Sequence, residues 1–177
     1  KEIATYIYSG ILTDTGSFRF PLTTGHTHNI ISELFKKGIN HTKIHESIYD
    51  NFSIERAHLL AISLKNLKLI EGLGVVYTIL TKKDLKKYNF KKGDTEGFVN
   101  FGLRIRGVSV SVIFIEDNFE DIIKMSFRSK GKIDVNKFAK SYFNGGGHKN
   151  ASGGYSNNSI IETEKKFILS IKEFLRT

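Results

Sequence analysis

Tyr142-Phe-Asn-Gly-Gly-Gly-His-Lys-Asn-Ala-Ser-Gly-Gly154 holds five of the chain's sixteen glycines. Gly145, Gly146 and Gly147 follow directly on a segment whose apolar residues share one stripe. Val135, Phe138, Ala139, Tyr142 and Phe143 recur at i, i+3, i+4, i+7 and i+8, and Asp134 stands in the N-cap position of that helix. One glycine would end the helix in the left-handed region. Three in succession leave main-chain N–H groups uncovered by side chains, and a turn of such groups makes a concave nest that an anion can approach closely. His148 and Lys149 add polarity beside it. The competing reading of the same residues is a plain helix terminus followed by a loop.

Moving outward toward the N-terminus, Asp121-Ile-Ile-Lys-Met-Ser-Phe-Arg-Ser129 alternates. A strand there points Ile123, Met125 and Phe127 to a core, and Lys124, Ser126 and Arg128 to the other face. The polar ladder runs into Arg128-Ser129-Lys130, a guanidinium fork, a hydroxyl and an ammonium in succession; arginine is the side chain best shaped to grip phosphate with two bonds. A solvated strand face is the bland alternative. Further out, Val75–Leu80 reads as a strand, Lys82–Lys87 as a short lysine-rich helix, and Val108–Ile115 as a central strand covered on both faces. Asp94 or Thr95 caps a helix carrying Phe98, Phe101 and Leu103 and ending near Gly107, with Glu96 and Asn100 on its solvated side. A turn over Glu116–Glu120 leads into the Arg128 strand, and a last helix buries Phe167, Ile168, Ile171, Phe174 and Leu175. From Val75 onward the element order is thus β, α, α, β, β, α, loop, α.

The first seventy residues read as helices. Ile3, Ala4, Ile7 and Ile11 mark the face of a helix that the chain enters part-way. Asp14 ends it, where the helix dipole is already negative and a second negative charge is unwelcome without a cation. Asp14-Thr15-Gly16 equally suits a plain turn, with glycine at positive φ. Ser17–Phe20 alternates and is closed by Pro21, as at a strand end. A helix capped by Thr23 or Thr24 carries Ile30, Ile31, Leu34 and Phe35 and ends at Gly38. Its His26 and His28, two residues apart, do not share a helix face and make a poor metal pair; with His41, His45 and His58 they read as surface or capping residues. From Ser53 a helix is expected to run to about Ile70, and Glu71-Gly72-Leu73-Gly74 breaks it as a hinge.

Composition sets the limits. The 177 residues suffice for a core, with 40% hydrophobic side chains, and the absence of cysteine removes disulfides and thiolate metal sites and fits a reducing, cytoplasmic setting. No apolar run is long enough for a signal peptide or a membrane span. Of the net +9, residues 1–70 carry +2 and residues 71–177 carry +7, so the basic surplus lies with the glycine loop and favours polyanionic partners.

Ser126-Phe-Arg-Ser129, Asp134-Val-Asn136 and Gly145-Gly-Gly-His148 with Ala151 and Gly153 resemble the C-terminal substrate-binding domain of DHH-family phosphoesterases. Asp94-Thr-Glu-Gly-Phe-Val-Asn100 and Gly10-Ile-Leu-Thr-Asp-Thr-Gly-Ser-Phe-Arg-Phe20 extend the likeness over nearly the whole chain. The branch most similar comprises small-oligonucleotide ribonucleases that also dephosphorylate 3′-phosphoadenosine 5′-phosphate.

The resemblance implies an α/β architecture: the C-terminal piece of a DHH catalytic domain over 1–52, a connector helix and hinge over 53–73, and a small α/β domain with a mixed sheet over 74–177. It implies two divalent ions, typically Mn²⁺, that would activate a water and neutralise phosphate. Asp14 matches one metal ligand. The Asp-His-His segment and early Asp-x-Asp that supply the others have no match here, so the chain alone is expected to be inactive, with an N-terminal portion lying outside it. Arg128 and Lys130 would bind phosphate, the amides of Gly145, Gly146 and Gly147 would line the anion pocket, and His148 would donate a hydrogen bond to a phosphate oxygen. Arg19 and Ser129 are further candidates for substrate contact. The implied partners are short single-stranded RNA or DNA and 3′-phosphoadenosine 5′-phosphate, with no membrane; a homo-oligomer is compatible with the sequence. A nucleic-acid-binding module without chemistry, like related domains appended to tRNA synthetases, is the alternative from another class, and a scaffold whose glycine loop binds nothing is a third.

Overall fold

The computed structural model describes residues 1–117 and 120–176. By contacts the chain divides into two units, Lys1–Phe52 and Ser53–Thr177. In the first, helices α1 (Glu2–Asp14), α2 (Gly25–Lys36) and α3 (His41–Tyr49) bury Ala4, Tyr8 and Leu12 against Ile31, Leu34, Ile39 and Ile44. The α1 stripe is rotated from its expected position: Ile3 is 75% exposed and Ile7 46%, while Tyr8 takes the core place. Tyrosine can do so because its hydroxyl finds a partner, His45 Nε2 at 3.1 Å. Residues 17–20 form a turn and not a strand. Gly16, Ser17 and Phe18 all have φ near +60°, and the buried Thr15 hydroxyl organises them by donating to Ile11 O (2.6 Å) and accepting from Phe18 N (3.0 Å). Thr24 caps α2 in a reciprocal pair with Thr27. Asn40 caps α3, a helix the sequence reading had not drawn, by accepting from Lys43 N.

The second unit contains α4 (Ile54–Lys65), β1 (Lys68–Ile70), β2 (Val75–Leu80), α5 (Lys82–Lys87), α6 (Val99–Gly102), β3 (Val110–Glu116), β4 (Ile123–Ser129), α7 (Val135–Tyr142), β5 (Gly146–His148), β6 (Ala151–Ser156) and α8 (Ile160–Phe174). Its mixed sheet has the order β1-β2-β3-β4-β6-β5, with β2 and β3 parallel and every other pair antiparallel. Three expectations change here. The helix from Ser53 stops at Lys65, where Asn66 donates to Ile79 O; residues 68–70 pair with β2, and Glu71–Gly74 is the turn of that hairpin, with Gly72 and Gly74 at φ 76° and 62°. The helix expected from Asp94 shrinks to α6, preceded by turns over 92–98 in which Gly93 and Gly97 take positive φ. The glycine-rich stretch is the β5–β6 hairpin, closed by Lys149-Asn150, and not a loop. The expected turn over Glu116–Glu120 includes Asn118 and Phe119, which lie outside the described residues.

One sheet face packs Tyr77, Phe114, Met125 and Phe127 against Phe138 of α7 and Phe167 and Ile171 of α8. Its phenylalanine pairs meet largely edge to face, as between Phe114 and Phe167 at 5.2 Å and Phe127 and Phe138 at 5.6 Å. Among the described residues the other face is covered chiefly over β2 and β3, where Leu80 and Ile113 meet Leu59 of α4, Leu85 of α5, and Phe98 and Val99 beside and within α6, which also reaches β4. On that same side of the sheet β4 presents Lys124, Ser126 and Arg128, exposed or half-buried in strict alternation with buried Ile123, Met125 and Phe127. The uncovered half of this face positions the candidate site.

Candidate functional site

Cross-strand partners share a sheet face, so register decides which side chains meet. Arg128 of β4 pairs with Ala151 of β6, and Ala151 pairs with His148 of β5. The three form one row, with Arg128 and His148 two strand spacings, or about 10 Å, apart at the backbone. The next row is Ser126, Gly153 and Gly146. Alternation in β4 and the two-residue hairpin turn are what bring the guanidinium and the imidazole to the same face.

Arg128 is half-buried, and burial lowers its guanidinium pKa from the ordinary value. Its Nη1 donates to Phe127 O at 2.9 Å, and among the described residues it forms no ion pair with a carboxylate. A partly desolvated cation without a counter-charge is stabilised by a bound anion. The His148 side chain is exposed and has no hydrogen bond among the described residues, while its carbonyl accepts from Ser152 Oγ at 2.8 Å. Lys130 is exposed, and its Nζ donates to Leu103 O.

Three expected contributors differ from their assigned roles. Ser129 falls on the core side of β4 by alternation; it is 6% exposed, donates to Ile133 O (2.7 Å) and accepts from Asn150 Nδ2 (2.8 Å), so its hydroxyl braces the turn after β4. Gly145 N–H is taken by Ala139 O at 3.2 Å, ending α7. Gly147 pairs with Ser152 in the row of opposite facing. The glycines therefore do not form a three-amide nest; Gly146 pairs with Gly153 of the Ser126 row, and a Cβ on it would face Asn136 and Lys140 of α7. Gly145 and Gly147 are glycine for packing: an added Cβ would lie 2.1 Å from Gly153 O and 2.7 Å from Ala151 O respectively.

The sequence reading passed over Asn136 of α7, whose Oδ1 is buried without a partner among the described residues, 3.9 Å from where a Cβ on Gly146 would stand. Only its place in Asp134-Val-Asn136 pointed to it. Tyr155 and Lys124, cross-strand partners two positions beyond the Ser126–Gly153 pair, were also not assigned.

In the first unit, Asp14 is exposed at the last position of α1. Among the described residues no three His, Asp or Glu side chains converge to hold a metal ion, so these residues do not by themselves fit a metal pair. Arg19 is exposed, with Nε donating to Gly16 O at 2.9 Å.

A protein-family model, the DHHA1 domain, matches residues 72–177. A probable bifunctional oligoribonuclease and PAP phosphatase NrnA of Streptococcus mutans is 36% identical over 92% of this chain and 51% of its own length. The bifunctional oligoribonuclease and PAP phosphatase NrnA of Bacillus subtilis is 33% identical over 86% of this chain and 47% of its own. The crystal structure of an exopolyphosphatase-related protein from Bacteroides fragilis superposes with a TM-score of 0.94 at 38% identity, covering 98% of this chain and 50% of that one. The chain thus spans about half the length of the curated relatives it matches. With its mixed sheet, its glycine hairpin and a family match over more than half its length, the chain belongs to the DHHA1 domain family of DHH phosphoesterases.

Proposed function

We propose that this chain is the substrate-holding part of a cytoplasmic, metal-dependent phosphoesterase that hydrolyses short oligonucleotides and 3′-phosphoadenosine 5′-phosphate. The observation that carries it is the row in which Arg128 and His148 flank Ala151 on an uncovered face, beside the paired glycines Gly146 and Gly153. The names of the Streptococcus and Bacillus relatives supply the substrate class. In this reading the Arg128 guanidinium grips a phosphate from the β4 side, and the His148 ring donates to one of its oxygens from the β5 side. Lys130 adds positive potential at the end of β4. Residues 1–52 are a piece of the catalytic domain, and Asp14 is one ligand of a Mn²⁺ pair whose remaining ligands come from side chains outside those described here. Residues 74–177 are the substrate-binding domain, joined through 53–73.

The test is a titration of this chain with 3′-phosphoadenosine 5′-phosphate at fixed salt. Arg128→Ala and His148→Ala should each weaken binding about tenfold or more, in keeping with about 1.5–3 kcal/mol for a charge-assisted contact. The double variant should lose less than the sum, because neighbours that share a ligand couple. Affinity unmoved by either change would remove the row from the site.

A further inference from the structure

The uncovered face does not stop at the Arg128 row. Along β4 and β6 it continues through Ser126 and Gly153 to Lys124 and Tyr155, about 7 and about 13 Å away at strand spacing. At that end it deepens into a hollow of about 590 Å³ whose lining includes Glu120, Lys124, Asn144, Gly146, Gly153 and Tyr155. Gly146 and Gly153 belong both to this hollow and to the row beside Arg128, so the two regions share a floor.

Three features define what the hollow can hold. The first is the floor. A Cβ added to Gly153 would meet nothing closer than Met125 O at 3.5 Å, and one on Gly146 nothing closer than Lys140 Cε at 3.7 Å; neither residue is at positive φ. Gly154 differs, since its Cβ would lie 2.7 Å from Phe143 O. The protein's own packing therefore does not require Gly153 to lack a side chain, and its bare backbone leaves room for a flat group to lie against the strands, while Gly146, whose Cβ would face α7, lines the hollow with its backbone. The second is Tyr155, 40% exposed, which offers an aromatic face at the rim. The third is charge. Lys124 Nζ lies 3.0 Å from Asp117 and 3.2 Å from Glu120, so the one cation of the lining is already countered. A second phosphate would meet carboxylates there, whereas a neutral ring would not.

We propose that this hollow is a nucleobase subsite, in which Tyr155 stacks on a base of the bound nucleotide, Gly146 and Gly153 form the floor beneath it, and Asn144 and Glu120 offer hydrogen bonds to its edge. The proposal deepens the phosphoesterase reading by assigning phosphate and base to opposite ends of one sheet face. Stacking on an aromatic side chain tolerates any base, which suits a site for short oligonucleotides of mixed sequence.

The experiment titrates the isotopically labelled chain with adenosine, ribose 5-phosphate and 3′-phosphoadenosine 5′-phosphate, following amide resonances at fixed salt. Adenosine should move Gly153, Gly154 and Tyr155; ribose 5-phosphate should move Arg128, His148 and Ala151; the bisphosphate should move both sets. Tyr155→Ala should weaken the bisphosphate about tenfold and leave ribose 5-phosphate unchanged, while Tyr155→Phe should bind as the parent does. Gly153→Val should weaken adenosine and the bisphosphate, and because Tyr155 is exposed its substitutions serve as the control should Gly153→Val fold poorly. An unchanged bisphosphate affinity in Tyr155→Ala, or adenosine that leaves the hollow's amides in place, overturns the subsite. If ribose 5-phosphate fails to reach the Arg128 row while adenosine occupies the hollow, the phosphate assignment falls and the base subsite stands.

Discussion

Glu164 is a single residue whose ionisation reaches the edge of the sheet. Its Oε1 accepts from Tyr77 Oη and from Lys68 Nζ, both at 2.7 Å, tying α8 to β2 and to the edge strand β1. Burial works against the carboxylate, but the bonds from Lys68 and Tyr77 and the Lys68 charge prevail and hold the pKa below the usual 4.5. Burial, then the bond to Glu164 and its charge, push the Tyr77 phenol above its usual 10. A depressed acid stabilises the fold above its unfolded pKa and loses that contribution as pH falls through the folded value. A raised phenol stabilises below pH 10 and loses its contribution as pH climbs beyond. Glu164→Gln should therefore cost about 1 kcal/mol at pH 7, with Lys68 half-exposed and adding little. The gap from the parent should close as pH drops below 4.5, the carboxyl's usual value. Tyr77→Phe should show a similar gap at pH 7 that closes above the phenol's usual 10. Urea midpoints across pH read both, and gaps that stay constant with pH would show that the charges contribute nothing. None of this was visible in the sequence, because Tyr77 and Glu164 are 87 residues apart.

At the scale of elements, the β5–β6 hairpin sorts its glycines into two kinds. Gly145→Ala would drive a methyl to 2.1 Å from Gly153 O and within 2.8 Å of Gly154 Cα, backbone that cannot step aside. It should cost about 1–3 kcal/mol and lower the thermal midpoint by several degrees. Gly146→Ala, with nothing within 3.7 Å, should stay within about 0.5 kcal/mol. Equal midpoints for the two variants would contradict the packing described. Helix α7 was legible because Asp134 and a five-residue apolar stripe agree. The strand after it was not, because glycine has low strand propensity and a run of it reads as a turn. Only pairing with β6 makes residues 146–148 a strand. The same holds for β1: Leu67–Ile70 extends the helical period of α4, and a partner strand claims residues 68–70 instead.

For the molecule as a whole, charge follows the two units. Residues 1–52 carry five basic and five acidic side chains, residues 53–177 twenty-two and thirteen, so the entire +9 belongs to the second unit. Binding of a short single-stranded oligonucleotide should weaken with salt at a log–log slope of about −0.7 for each phosphate engaged. A series from a mononucleotide to a trinucleotide should steepen it stepwise, and a slope near zero in fluorescence titrations would exclude phosphate recognition by this surface. Composition, charge, the alternation of β4 and the cap of α7 were all determined by the sequence alone, because each is read from composition or from neighbours within a turn or two of chain. The resemblance of Ser126–Ser129 and Gly145–His148 to a known family was equally legible. What the tertiary structure decided is everything that depends on partners distant in sequence. Register set Arg128 and His148 in one row, and folding supplied Asn150 as the partner of Ser129, whose core-side position already followed from the alternation of β4. A helical layer centred over β2 and β3 left the Lys124, Ser126 and Arg128 ladder of β4 exposed or half-buried among the described residues. The physical reason is that a side chain's period along the chain determines whether it faces one side or the other, whereas its neighbour on that side is supplied by pairing and packing that no local pattern encodes.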